Sequence, residues 1–97
     1  MKRAVFLALA LFAACAPTIP KPTPIDAQRA GTTIEVLDAG RTTYVRRCGN
    51  CHSLYPPSEY ASTVWPGKVA AMRIKAKLAP TDETQIVRYL QTLASRP

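Results

Sequence analysis

Four of the eight residues from Pro17 to Pro24 are proline, and this run sets how much chain is left to fold. Proline lacks an amide hydrogen and its ring fixes φ. A segment this rich in it suits neither a helix interior nor a central strand. The run reads as the core of an extended, semi-rigid tether over 16–30. Folding then starts near Gly31. Residues 31–97 fall below the roughly 70–80 residues that a single hydrophobic core needs to stand alone. A chain of 97 residues thus holds one small domain, and that domain needs a staple.

The residues before the prolines have another purpose. Met1-Lys2-Arg3 is a short basic start, and Ala4 to Ala14 is an unbroken apolar run. The run is too short to cross a bilayer, which takes about 20 apolar residues. It fits the apolar region of a secretory signal peptide. A buried N-terminal helix is the other reading, and the basic start and abrupt end argue against it. Phe12-Ala13-Ala14-Cys15 resembles a bacterial lipobox, departing from it at Phe12, where Leu is usual. The competing cleavage signal, Ala14-Cys15-Ala16, would leave Pro17 as a poor new N-terminus. The expectation is a signal segment over 1–15 and a lipidated Cys15. The lipid would hold an exported, periplasmic domain at a membrane surface without spanning it.

Past the prolines the pattern is helical. Thr32-Thr33-Ile34-Glu35 has the spacing of a capping box. Ile34, Leu37, Gly40/Arg41, Tyr44/Val45 and Cys48 then recur at helical intervals. Gly40 costs up to about 1 kcal/mol relative to Ala inside a helix. Either another helix approaches closely there, or the helix starts after it. A second helix is predicted from Trp65-Pro66, with Trp65, Val69, Met72 and Ala76 on one face and Ala79-Pro80 as its stop. A third is predicted from an N-cap at Thr81, with Asp82 and Glu83 in its first turn. Its stripe is Ile86, Tyr89, Leu90 and Leu93. No strand alternation and no internal repeat is visible, so the predicted class is all-α, with three main helices.

The staple is offered by Cys48-Gly49-Asn50-Cys51-His52. Three chemistries use cysteines at this spacing. Zinc wants four protein ligands in a structural site, and the adjacent Cys51 and His52 would be awkward partners on one metal. A thioredoxin-like redox pair sits in a βαβ setting, which is missing here. A plain Cys48–Cys51 disulfide is the bland reading, and it leaves His52 unexplained. Covalent haem uses all three residues: two thiols form thioethers with the vinyl groups, and His52 binds the iron. C-x-x-C-H is the attachment signature for c-type haem. Export agrees with it, and the 3 Cys of the chain are then all used, one for lipid and two for haem.

Gly40, Tyr44, Cys48, Cys51 and His52 resemble the N-terminal helix of class I cytochromes c. Ile86-Val87-Arg88-Tyr89-Leu90 resembles the C-terminal helix of the same family. The likeness covers roughly 32–93, with a motif at each end and a looser middle. It implies a small cytochrome c-like fold over 31–97, with the helices around one haem c. It also implies that the aromatic Tyr89 crosses the first helix at Gly40. It implies a methionine as the second axial ligand, for which Met72 is the available residue, and a carbonyl near Pro56 or Pro57 that orients His52. Met72 departs from the mitochondrial pattern: it lies soon after His52 and on a helix. In this it resembles short bacterial monohaem domains. The alternative is that Met72 merely packs with Trp65 and Val69.

A His52/Met72 iron suits electron transfer, since Met ligation raises the potential. The expectation is a carrier of single electrons rather than an enzyme. Two other readings stay open. One is a haem-based small-molecule binder, or the electron-entry subunit of a larger oxidoreductase. The other is a haem-free disulfide lipoprotein. Loss of Lys2 and Arg3 takes the formal charge from +7 to +5. Arg46, Arg47, Lys68, Arg73, Lys75 and Lys77 read either as a solvated surface or as a basic rim that steers acidic redox partners. Anionic headgroups are a second target; nucleic acid is no partner for an exported domain.

Overall fold

A computed structural model of the chain describes residues 19–49 and 53–97. The signal segment, Cys15, Cys51 and His52 lie outside the described residues. Among those described, every regular element is helical and none is a strand. The order is α1 (Pro24–Ala30), α2 (Ile34–Thr43), a π-helical turn (Tyr44–Cys48), a 3-10 turn (Pro57–Glu59), α3 (Trp65–Met72) and α4 (Pro80–Ala94). No described helix is long and apolar enough to cross a membrane.

Helix α1 corrects the expected tether. Of the four prolines, Pro24 stands at the first helical position, where an amide hydrogen has no helical partner. Thr23 Oγ1 accepts from the Asp26 amide at 3.3 Å, and the Asp26 carboxylate accepts from the Thr23 amide at 2.8 Å. This reciprocal cap starts the helix. Gly31 ends it at φ 64, with Gly31 and Thr32 amides donating to Gln28 and Ala27 carbonyls at 3.2 and 3.0 Å. That left-handed closure suits glycine. Residues 19–30 therefore belong to the folded unit, which does not wait for Gly31.

The segment is held by long side chains from the rest of the chain. Arg41 donates twice to the Ile19 carbonyl, at 2.9 and 3.1 Å. Tyr89 donates its hydroxyl to the Pro20 carbonyl. Arg96 donates to the Lys21 carbonyl at 3.2 Å and to the Asp26 carboxylate at 2.7 and 3.1 Å. Arg29 reaches the same carboxylate at 3.0 Å. Asp26 is almost fully buried. The Arg96 guanidinium holds its carboxyl well below the usual range, against the opposing effect of burial. A buried charge is tolerated when it is paired and hydrogen-bonded in this way.

Helix α2 starts one residue later than the sequence suggests. Thr33 is the N-cap, with its hydroxyl accepting from the Val36 amide at 3.2 Å. That places Val36, not Glu35, at the third helical position, so the capping box expected from Thr32 and Glu35 does not form. Gly40 lies inside α2, which removes the reading that the helix begins after it. Helix α3 begins at Trp65 as expected, with Pro66 in its first turn. Helix α4 begins at Pro80, one residue before the predicted cap Thr81. The Ala79 amide donates to the Asp82 carboxylate at 3.3 Å and does the capping. The stripe Ile86, Tyr89, Leu90 and Leu93 is buried as expected.

Helices α2 and α4 cross at Gly40. A Cβ placed there would lie 2.9 Å from Tyr89 Cβ and closer still to the Gln85 carbonyl. The crossing pairs Gly40 with Tyr89, the pairing that the resemblance implies. Around it the core gathers Tyr44, Cys48, Trp65, Val69, Ile86, Tyr89, Leu90 and Leu93.

Candidate functional site

The last turn of the first helical segment carries Cys48. From Tyr44 the helix widens into a π turn that ends at Cys48. Such turns are rare and often mark functional positions. Cys48 is 3% exposed and sits in the same buried cluster as Tyr44, Trp65 and Val69. Leu54, just beyond the motif, and Leu78 pack against that cluster.

An aromatic ladder braces this end of the molecule. Tyr44 meets Trp65 edge-on at 6.2 Å between ring centres, and Tyr60 meets Trp65 edge-on at 5.1 Å. Tyr55 meets Tyr60 at 5.9 Å. Edge-to-face contacts of this kind add about 0.5–1.5 kcal/mol each beyond area burial. Both buried polar ends are satisfied. Tyr44 donates its hydroxyl to the Tyr55 carbonyl at 2.6 Å, and Trp65 donates its indole N–H to the Pro57 carbonyl at 2.8 Å. Burial pushes the Tyr44 phenol far above its ordinary range, and the neighbouring Cys48 acts in the same direction. Tyr44 therefore stays protonated and remains a donor. The sequence singles out Tyr44 and Trp65 but not Tyr55 or Tyr60, which sit in the loop.

The two carbonyls proposed to orient His52 already have partners. Pro57 O accepts from Trp65, and Pro56 O accepts from the Glu59 amide at 2.9 Å. The indole bond gives a direct test. Trp65→Phe keeps a ring in place and strips the Pro57 carbonyl of its donor. The expected loss is about 2 kcal/mol in a denaturant titration. A loss within error of zero would mean that the indole bond carries no weight.

Met72 is the last residue of α3 and is half-buried, outside the fully buried cluster that contains Trp65 and Val69. Helix α3 thus stops well before the Ala79-Pro80 expected to end it, and a run of turns carries the chain to Lys77, a non-glycine residue at φ 54. The Leu78 amide donates to the Arg73 carbonyl at 3.0 Å and the Lys77 amide to Ile74 at 3.2 Å. Ile74 on this closing turn is 79% exposed. Val45 and Tyr55, on either side of the motif, are also exposed.

The charges divide. Arg46 and Arg47 are exposed and, with Thr43 and Asp82, line a small cavity of about 170 Å³. Lys68 is engaged, with its ammonium 4.5 Å from the centre of the Tyr60 ring. Arg73 pairs with Glu83 at 3.4 Å. Lys75 and Lys77 point to solvent from the turn after Met72.

The candidate donors named by the sequence are two thiols, an imidazole and the Met72 thioether. Of these the described residues include Cys48 and Met72. Cys48 is set into the aromatic cluster, with Leu54 and Leu78 packed against that cluster and Met72 half-buried outside its fully buried part. No family model, no curated protein and no solved structure matches this chain.

Proposed function

We propose that this chain is a small monohaem c-type cytochrome, held at a membrane by a lipid on Cys15, that passes single electrons between other redox proteins in the periplasm. The observation that carries the reading is the pentapeptide Cys48 to His52 at the end of a helix that crosses α4 at Gly40. Cys48 and Cys51 would hold one haem c through two thioethers. His52 and Met72 would supply the two axial ligands. Bound there, the haem supplies a one-electron redox centre.

The chain's own residues do the rest. The Tyr44–Trp65–Tyr60 ladder gives a rigid apolar wall behind Cys48 that keeps water away. Met72, at the end of a helix fixed by buried Trp65 and Val69, is positioned by that helix and not by a mobile loop. A Met72 thioether on a haem held there would raise its potential and would leave less room for other small ligands, which favours a carrier over a binder or an enzyme. Exposed Arg46 and Arg47 give an acidic partner a place to dock beside the motif.

The test is a pair of visible spectra, reduced and oxidised, of protein made in a host equipped to attach haem. Sharp reduced bands that stay with the chain in denaturing electrophoresis, with a weak far-red oxidised band, are expected. Met72→Ala should abolish the far-red band and lower the potential, with the covalent attachment intact. Attached haem without the far-red band in the parent would remove Met72 from the iron and point to ligand binding. A mature mass with no haem would leave the disulfide lipoprotein.

A further inference from the structure

We infer that the face built from residues 19–30 and the side chains that clasp it lies flat against an anionic bilayer. This inference rests on the lipid anchor proposed above and adds which face meets the membrane. With Ile19 to Ala30 folded onto the domain, the free tether shrinks to the steps between Cys15 and Ile19. Four extended residues reach at most about 14 Å. A domain on so short a leash cannot tumble away from the surface, and the side nearest the leash must face it.

That side has the chemistry of a headgroup surface. Arg41, Arg88, Arg29 and Arg96 all hydrogen-bond to this segment or to its Asp26: Arg41 at Ile19, Arg88 at Ala30, Arg29 and Arg96 at Asp26. Lys21 is exposed within the segment itself. Asp26 is shared by Arg29 and Arg96 alone and is buried, while Arg41 and Arg88 spend their bonds on backbone carbonyls. Basic side chains near an anionic leaflet are drawn to it. Amid them Ile25 on α1 is 67% exposed. Arg29 follows it at i+4, on the same helix face. A large exposed apolar side chain on the same short segment that these cations bind suits the boundary between headgroups and hydrocarbon. At the other end of α4, Asp82 shares its small cavity with Arg46 and Arg47. About ten helical residues, roughly 15 Å, separate that end from Thr92, whose carbonyl accepts from Arg29. Arg46 and Arg47 are thereby set along α4 from the clasp, while Pro56 to Ser58 line a cavity beside Pro20 and Arg96.

The experiment uses the mature lipidated protein in vesicles of phosphatidylethanolamine and phosphatidylglycerol. A brief pulse of an amine-acylating reagent is followed by peptide mass spectrometry. Lys21 should be acylated at least fivefold more slowly in vesicles than in detergent, with Lys75 unchanged. A ten-residue Gly-Ser insertion between Thr18 and Ile19 should bring the Lys21 protection below twofold. Ile25→Glu should weaken it as well. Equal labelling of Lys21 and Lys75 on a protein whose mass carries the acyl groups would overturn the orientation and leave the anchor standing. A mature mass without acyl groups would overturn both. Haem absorbance of the same sample reports on the electron-carrier reading separately.

Discussion

Gly40→Ala is expected to destabilise the domain by at least about 2 kcal/mol, although alanine is the better helix former. In an open helix the change would gain up to about 1 kcal/mol. Here the added methyl would stand 2.9 Å from Tyr89 Cβ and closer still to the Gln85 carbonyl. The second neighbour is backbone and cannot swing aside as a side-chain tip can. Helices α2 and α4 must move apart, and the contacts made by Leu37, Tyr44, Ile86 and Tyr89 loosen together. Overpacking of this kind costs about 1–3 kcal/mol and sometimes more. Gly40→Val should be worse still. Urea titrations of the two variants beside the parent decide it. An Ala variant as stable as the parent would mean that the helices do not cross so closely.

Asp26→Ala is expected to cost about 2–3 kcal/mol and to release residues 19–30 from the domain. Breaking a fully buried ion pair costs about 3–5 kcal/mol. The figure here is lower because the Arg96 and Arg29 side chains are about a third exposed, so their charges regain water when Asp26 is lost. The pH dependence is a second readout. The folded carboxyl is held below the ordinary value of about 4 by Arg96 first. Its contribution is complete above pH 4 and is lost as pH falls through the depressed folded value. The parent should lose stability on acidification below pH 4, and Asp26→Asn should show a flatter acid limb. Identical limbs would mean that Asp26 does not sense its arginines.

Much of the helical frame is legible from period and cap. The stripe Ile86, Tyr89, Leu90 and Leu93 locates α4, and Trp65 followed by Val69 locates α3. Caps are less legible: Thr33, not Thr32, starts α2, because two adjacent threonines offer equally good hydroxyls and packing selects between them. The clasp on residues 19–30 is illegible in the sequence for two reasons. A count of prolines hides that Thr23-Pro24-Ile25-Asp26 is itself a helix start, with a cap, a proline where proline is welcome, and an acid three residues on. The partners that hold it, Arg41, Tyr89 and Arg96, are distant in sequence, and no local pattern announces them. At the candidate site, Cys48 and Met72 are visible from motif and family spacing. The Tyr55 and Tyr60 rungs are not, since a loop has no period to read.

The salt link between Asp26 and Arg96 joins positions 70 residues apart. It therefore governs the order in which the molecule can be completed. A chain leaves the ribosome from its N-terminal end. Asp26 emerges early and can pair with Arg29 at once, but the stronger link to Arg96 waits for a residue 70 positions later. Helix α1 can be capped by Thr23 at once, but it has nothing to dock on until α4 has formed. Closing so long a loop carries an entropy cost that must be met before the contact stabilises anything. A chain truncated before Arg96 would keep its three later helices while its first one hung loose.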